Sequence, residues 1–297
     1  MLPVIVKKLF LIFISCFFLW EEWEHSLFAA SSSGSEVNFK QVQSFVDLLP
    51  KVYENIFIRK KVLGITKLSY PIYLIHISKL SNFDSKPQIL FLGGTHGNEP
   101  SAVEVVLSLI KFFIFELNEF QNGIFQAIDL VFIPLLNPDG LYLKRRSNAD
   151  FVDINRDFTY RDKPYAFSPV RESQLIHKLH ENNNIIAALS FHSGSSSVLW
   201  PFCHKKEGPA DEELFIRAAS LLQTTLNLAE KMQSFEDYPS QGEYIDFAYG
   251  FYHTIALTIE LHKKKSYPKD FSKLCNSVNR GALQFVQLIL KEKNLIH

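Results

Sequence analysis

Apolar and polar positions fall along the chain in blocks of two kinds. Short runs that are apolar almost throughout, Tyr70–Ile77, Gln88–Gly93, Ile128–Leu136, Ile185–Phe191 and Thr254–Leu261, predict strands buried on both faces. Longer segments with apolar residues at three- and four-residue spacing predict helices. These are Pro100–Asn118 with Pro at its start, a segment capped by Ser168-Pro169 and running to about Glu181, Ala210–Met232, and Pro268–Glu292 at the end of the chain. Buried strands separated by helices need cover on both sides, so the expected class is α/β. The expectation is a single domain with a mixed, mostly parallel central sheet and helices on both faces. Ligands of such sheets sit beyond the carboxyl ends of the strands, and the polar clusters described below follow strands in this way.

The first segment stands apart. Lys7 and Lys8 precede an apolar run from Leu9 to Trp20, the layout of a secretory signal and short for a membrane span. Residues 1–30 are therefore expected to be a signal peptide or an N-terminal membrane anchor, and the protein to act outside the cytoplasm, periplasmic or secreted. Ser26–Ala30 offers small residues for cleavage, while Phe13-Ile14-Ser15-Cys16 loosely resembles a bacterial lipoprotein box. A Ser/Gly-rich linker over 30–35 follows. Beyond it no second linker or repeat appears, so 37–297 reads as one catalytic-size domain.

Composition removes several classes of function. With 47% hydrophobic and 21% charged residues in 297, the chain can bury a full core. Basic and acidic residues number 31 each, which leaves no net field for a phosphate backbone, so nucleic acid is not an expected partner. Membrane contact is expected only through the N-terminal segment. Cys16, Cys203 and Cys275 are too few and too scattered for a disulfide scaffold or a cysteine zinc knuckle, so any metal must be held by His and carboxylate. Cys203 and Cys275 are each as readily a buried thiol as a bonded pair.

Directly after the Gln88–Gly93 strand comes Gly93-Gly94-Thr95-His96-Gly97-Asn98-Glu99. The glycines allow a sharp turn, and His96 and Glu99 three apart can then offer one nitrogen and one carboxylate to a zinc ion. Such an ion needs a third protein ligand and an open position, and His192 at the end of the Ile185–Phe191 strand is the natural third. His-x-x-Glu by itself arises by chance. A second cluster gives it weight: Asn137-Pro138-Asp139-Gly140, then Arg146, then Asp153-Ile154-Asn155-Arg156.

In this order the turn, the lone Arg and the Asn-Arg pair resemble the M14 family of zinc carboxypeptidases. The likeness runs on through His192, Tyr238, the stretch Gly242-Glu243-Tyr244-Ile245-Asp246-Phe247 and the strand Thr258-Ile259-Glu260-Leu261. It covers essentially residues 39–293. Departures are Glu243 in place of a small residue, Phe247 in place of Trp, and Asp157 after the Asn-Arg pair.

The resemblance implies a zinc carboxypeptidase-like fold and one Zn2+ ion on His96, Glu99 and His192. It implies Glu260 as the group that takes a proton from water and passes it to the leaving nitrogen, and Arg146 as a donor to the oxyanion. Asn155 and Arg156 would bind the free carboxylate of a peptide substrate, Tyr238 would close over it, and Ile245 would floor the side-chain pocket. Glu243, beside that pocket, could meet a substrate ammonium. The compact segment from Arg146 to Asp153 resembles bacterial murein peptide amidases, which makes a muropeptide a second expected substrate. An alternative enzyme is a zinc deacylase of N-acyl amino acids resembling aspartoacylase or succinylglutamate desuccinylase. It shares the Gly-x-His-Gly-x-Glu start and the Asn-Arg pair.

Overall fold

The computed structural model describes residues 37–53, 56–79, 86–117, 123–159, 169–263 and 270–296. The expected export segment 1–30, the linker over 30–35 and the Ser168 cap lie outside the described residues.

Among the described residues a nine-stranded mixed sheet organises the domain, in the order β1 (Val52–Tyr53), β2 (Ile56–Ile65), β3 (Pro71–Ser78), β5, β4, β6, β9, β7 (Ser196–Trp200) and β8 (Glu230–Gln233). Its centre is β4 (Gln88–Leu92), β5 (Asp129–Ile133), β6 (Ile185–His192) and β9 (Ile255–Leu261), all mutually parallel. Strict alternation sends these strands' side chains to opposite cores. Phe91, Phe132, Leu189 and Leu257 face one cluster, which is covered by α1 (Phe39–Leu48), α2 (Pro100–Lys111), α6 (Glu212–Leu226) and α9 (Phe271–Glu292). Leu90, Leu92, Val131 and Ala256 face the other, under α5 (Arg171–Asn182) and α8 (Tyr244–Tyr252). This is the reason the strands read as unbroken apolar runs. The chain leaves β4 for β5 on one side and then crosses to β6 on the other, so the strand order reverses beside β4, the place in such sheets where ligands bind beyond the carboxyl ends of the strands.

Several elements differ from expectation at their ends. The helix expected over Ala210–Met232 stops at Leu226, because Asn227 turns left-handed at φ 56°. The remaining residues form β8 (Glu230–Gln233), which runs parallel to the edge of β7 (Ser196–Trp200). The helix expected to reach Asn118 is α-helical only to Lys111, then widens to a π-helical turn over Phe112–Glu116. On the opposite flank, β2 (Ile56–Ile65) pairs antiparallel with β3 (Pro71–Ser78), and β1 (Val52–Tyr53) lies outside β2. Between β2 and β3, Asp139 accepts from Thr66 Oγ1 and from Leu68 N at 3.1 Å, so this acid of the Asn137–Gly140 turn is structural. Cys203 and Cys275 are both buried free thiols, in different cores. Among the described residues no helix is long and apolar enough to cross a membrane.

One packing feature carries a pH dependence. His180 of α5 is buried against Tyr244, Phe247 and Tyr252, with Nε2 at 3.1 Å from Tyr244 Oη and Nδ1 without a partner. Burial, then the neighbouring His177, push its pKa down to about 3. Below pH 6.5 an unfolded chain binds a proton there that the folded chain refuses, so stability falls as pH falls from 6.5 toward 3. Between pH 6.5 and 5 the loss is roughly 2 kcal/mol. Thermal melts at pH 7.5 and 5 are expected to show a smaller drop for His180→Gln than for the wild type. Equal drops would remove His180 as the cause.

Candidate active site

The loop after β4 is held by backbone. Gly93 N donates to Ile133 O, Leu136 N to Gly93 O and Asn137 N to Gly94 O, so the loops after β4 and β5 are zipped together. A Cβ on Gly97 would come within 1.9 Å of Gly140 C, and only glycine permits that approach. Asn137 Oδ1 accepts from Gly140 N at 2.8 Å and caps α4 (Pro138–Leu143), while its Nδ2 donates to Thr95 O and Arg146 O. His96 and Arg146 are thereby set at fixed places on one scaffold.

His96, Glu99 and His192 converge, each nearly inaccessible to solvent. His96 Nδ1 lies 2.9 Å from Glu99 Oε1, and His192 Nδ1 lies 3.1 Å from both His96 Nδ1 and Glu99 Oε2. The outer nitrogens have their own partners: His96 Nε2 meets Asp153 Oδ1 at 3.1 Å, and His192 Nε2 meets Ser190 Oγ at 3.1 Å. The Asp153 carboxylate, which can only accept, favours for His96 the tautomer with a proton on Nε2 and a lone pair on Nδ1. Donors bound tetrahedrally at ~2.0–2.1 Å lie about 3.3 Å apart, close to the spacings here, so two imidazoles and a carboxylate fit zinc. Burial would raise the Glu99 carboxyl, yet the adjoining His192 and His96 rings hold it well below the usual carboxylate range. Glu99 stands at the N-cap of α2 without capping it, its side chain being turned to the histidines.

Glu260 reaches the same place through sheet register, for β9 pairs with β6 so that Glu260 stands opposite His192. Its Oε2 accepts from Ser195 N at 3.3 Å. Burial raises its pKa, and the nearby His192 only partly offsets this.

Arg146 is aimed by Asp153, with Nε at 2.7 Å from Asp153 Oδ2, and its Nη1 lies 3.5 Å from Glu99 Oε1. Asp153 thus joins His96 to Arg146. Burial would raise its carboxyl, but His96 and Arg146 hold it well below the usual range. In the sequence Asp153 stands only as one residue of a motif. Its position two residues before the Asn-Arg pair was the available signal.

Asn155 and Arg156 lie on a 3-10 turn, Ile154–Arg156. Asn155 Oδ1 accepts from Tyr244 N at 3.0 Å and caps α8, which leaves its Nδ2 for a ligand. Arg156 Nη1 donates to Asn155 O at 2.7 Å and lies 3.2 Å from Glu243 Oε1, while Nη2 meets Tyr238 Oη. Tyr238, 52% exposed, also places its ring 5.5 Å from the Arg156 guanidinium carbon. Ile245 is fully buried in the second core. His96, Glu99, His192 and Arg146 are thus linked, with Glu260 opposite His192, while Asn155, Arg156 and Tyr238 form a second linked group. Glu243 faces Arg156, where a substrate ammonium had been expected.

The chain also has relatives. The family model described as zinc carboxypeptidase (peptidase M14) matches residues 42–279. Carboxypeptidase SOL1 of Arabidopsis thaliana is 24% identical over 279 residues, covering 85% of this chain and 55% of that protein. Human carboxypeptidase D is 26% identical over 216 residues, covering 66% of this chain and 15% of that protein. The chain thus spans about half the length of the first relative and a small part of the second. Among solved structures, the carboxypeptidase A of Helicoverpa armigera superposes with a TM-score of 0.77 at 17% identity, covering 98% of this chain and 88% of that one, a likeness of fold.

Proposed function

Because the chain belongs to the M14 family of zinc carboxypeptidases, we propose that it hydrolyses the last amide bond of a peptide that ends in a free carboxylate, using one zinc ion. What supports this reading is the meeting, at one sheet edge, of the His96, Glu99 and His192 donors with Glu260 and two arginines. A zinc ion on the three donors would lower the pKa of a water and polarise the scissile carbonyl.

The remaining work falls to side chains. Glu260 takes the water's proton and returns it to the departing nitrogen, and its burial-raised pKa suits both halves of that transfer. Arg146, held in one orientation by Asp153, donates to the oxygen on which negative charge develops. Arg156 and the Nδ2 of Asn155 bind the terminal carboxylate, the guanidinium fork matching its two oxygens. Tyr238 closes the site from the solvent side.

The test uses blocked dipeptides with free and amidated C-termini, N-acyl amino acids and muropeptides, read by mass spectrometry, with zinc measured by elemental analysis. Cleavage of the free-ended dipeptide, and not of its amidated form or of N-acyl amino acids, is expected. Equal cleavage of free and amidated ends would sink the carboxypeptidase reading, and hydrolysis confined to N-acyl amino acids would favour the deacylase. The muropeptide arm tests the cell-wall substrate suggested by the compact Arg146–Asp153 segment. Arg156→Ala is expected to lower kcat/KM for free-ended peptides by about 10–100-fold, the worth of one charged hydrogen bond at 1.5–3 kcal/mol, with little change for amidated ones. Export through residues 1–30 belongs to the same proposal and is checked by sequencing the N-terminus of the mature protein.

A further inference from the structure

Both arginines of the site are already matched by protein carboxylates. Arg146 has Asp153 and Glu99, and Arg156 has Glu243. Glu243 stands at the N-cap of α8, but its side chain makes no capping bond, and the Tyr244 N–H goes to Asn155. Its side chain is only 7% exposed, and its Oε1 is shared by Ser240 Oγ and Arg156 Nη1. Backbone packing fixes the pair. Gly242, at φ 78°, lies so close to Arg156 that a Cβ would come within 2.2 Å of Arg156 O, and Phe158 N donates to Gly242 O. Ser240 is held in turn by its N–H on Cys203 O. The contact is therefore built into the fold, unlike a chance meeting of two long surface side chains. No step of the proposed hydrolysis uses Glu243.

We infer that Glu243 is a positioning residue acting through Arg156: a built-in counter-carboxylate that occupies the anchor and against which the substrate's terminal carboxylate must compete. The inference rests on Arg156 being that anchor. Two carboxylates on one guanidinium repel each other and divide its donors, so the site holds any terminal carboxylate more weakly than a lone arginine would. It also releases the carboxylate of the product more readily. The net effect is a raised KM with no demand on the chemical step.

The experiment is steady-state kinetics on a blocked, free-ended dipeptide, with inhibition by 3-phenylpropanoate as a plain carboxylate probe. Glu243→Gln keeps size and removes charge, so KM and the inhibition constant are both expected to fall about tenfold with kcat within about twofold. Glu243→Asp keeps the charge and should retain a KM near the wild type. In an Arg156→Ala background, Glu243→Gln should have no effect on KM. Should Gln disturb folding, Glu243→Ala read by the same two constants decides. An unchanged or raised KM in Glu243→Gln, or an equal fall in Glu243→Asp, overturns the inference while leaving Arg156 as anchor. If Arg156→Ala itself leaves KM for free-ended peptides unchanged, the anchoring reading fails first and takes this inference with it.

Discussion

Glu260→Gln is expected to lower kcat by about 10²–10⁴-fold, the usual contribution of a positioned proton-transfer group, with zinc content and KM close to the wild type. Gln has the same length and still offers an oxygen to Ser195 N, so the β9 end keeps its local bond. What it loses is the ability to accept a proton. The pairing of β6 with β9 puts residue 260 beside His192 whichever side chain it carries, so the metal donors are undisturbed. Kinetics on a free-ended blocked dipeptide, with elemental analysis of the same preparation, measures both quantities. Near-normal turnover with full zinc would remove Glu260 from the chemistry.

For His192→Ala the expectation is loss of bound zinc and of activity to background. Only His96 and Glu99 would remain as protein donors, and two rarely hold a catalytic zinc. Glu99 would also lose the adjoining His192 ring that helps keep it ionised. The change is confined to a strand end, and Ser193 N still donates to Glu99 Oε2, so the fold should survive. Circular dichroism alongside elemental analysis separates loss of metal from loss of structure. A folded variant that purifies with full zinc would refute the donor assignment.

The two cases differ in how far they were readable beforehand. His96 and Glu99 are three apart on one loop, and local spacing alone suggests a shared ligand. His192 is distant in sequence, and its assignment needed the idea that parallel strands end at a common edge. Glu260 needed both that edge and the family likeness. Asp153 and Glu243 escaped notice as partners because an acid in a motif looks the same whether it faces solvent, a histidine or an arginine. Their roles appear only when the 153–158 segment lies against His96 on one side and against 240–244 on the other.

Within the fold the same division holds. The sequence by itself determined which segments are buried on both faces, because side-chain alternation and unbroken apolar runs are properties of neighbours along the chain. It also determined the glycine-rich turn that brings two donors together. Only the tertiary structure decided strand order, the capture of residues 230–233 as β8 after a left-handed Asn227, and the outer edge of β1 and β2. It also decided that Arg156 is met by Glu243. Each of these depends on what a segment packs against after the chain has turned back, and on burial that strengthens a charge pair once water is excluded. Neither quantity is written in the order of residues on either side.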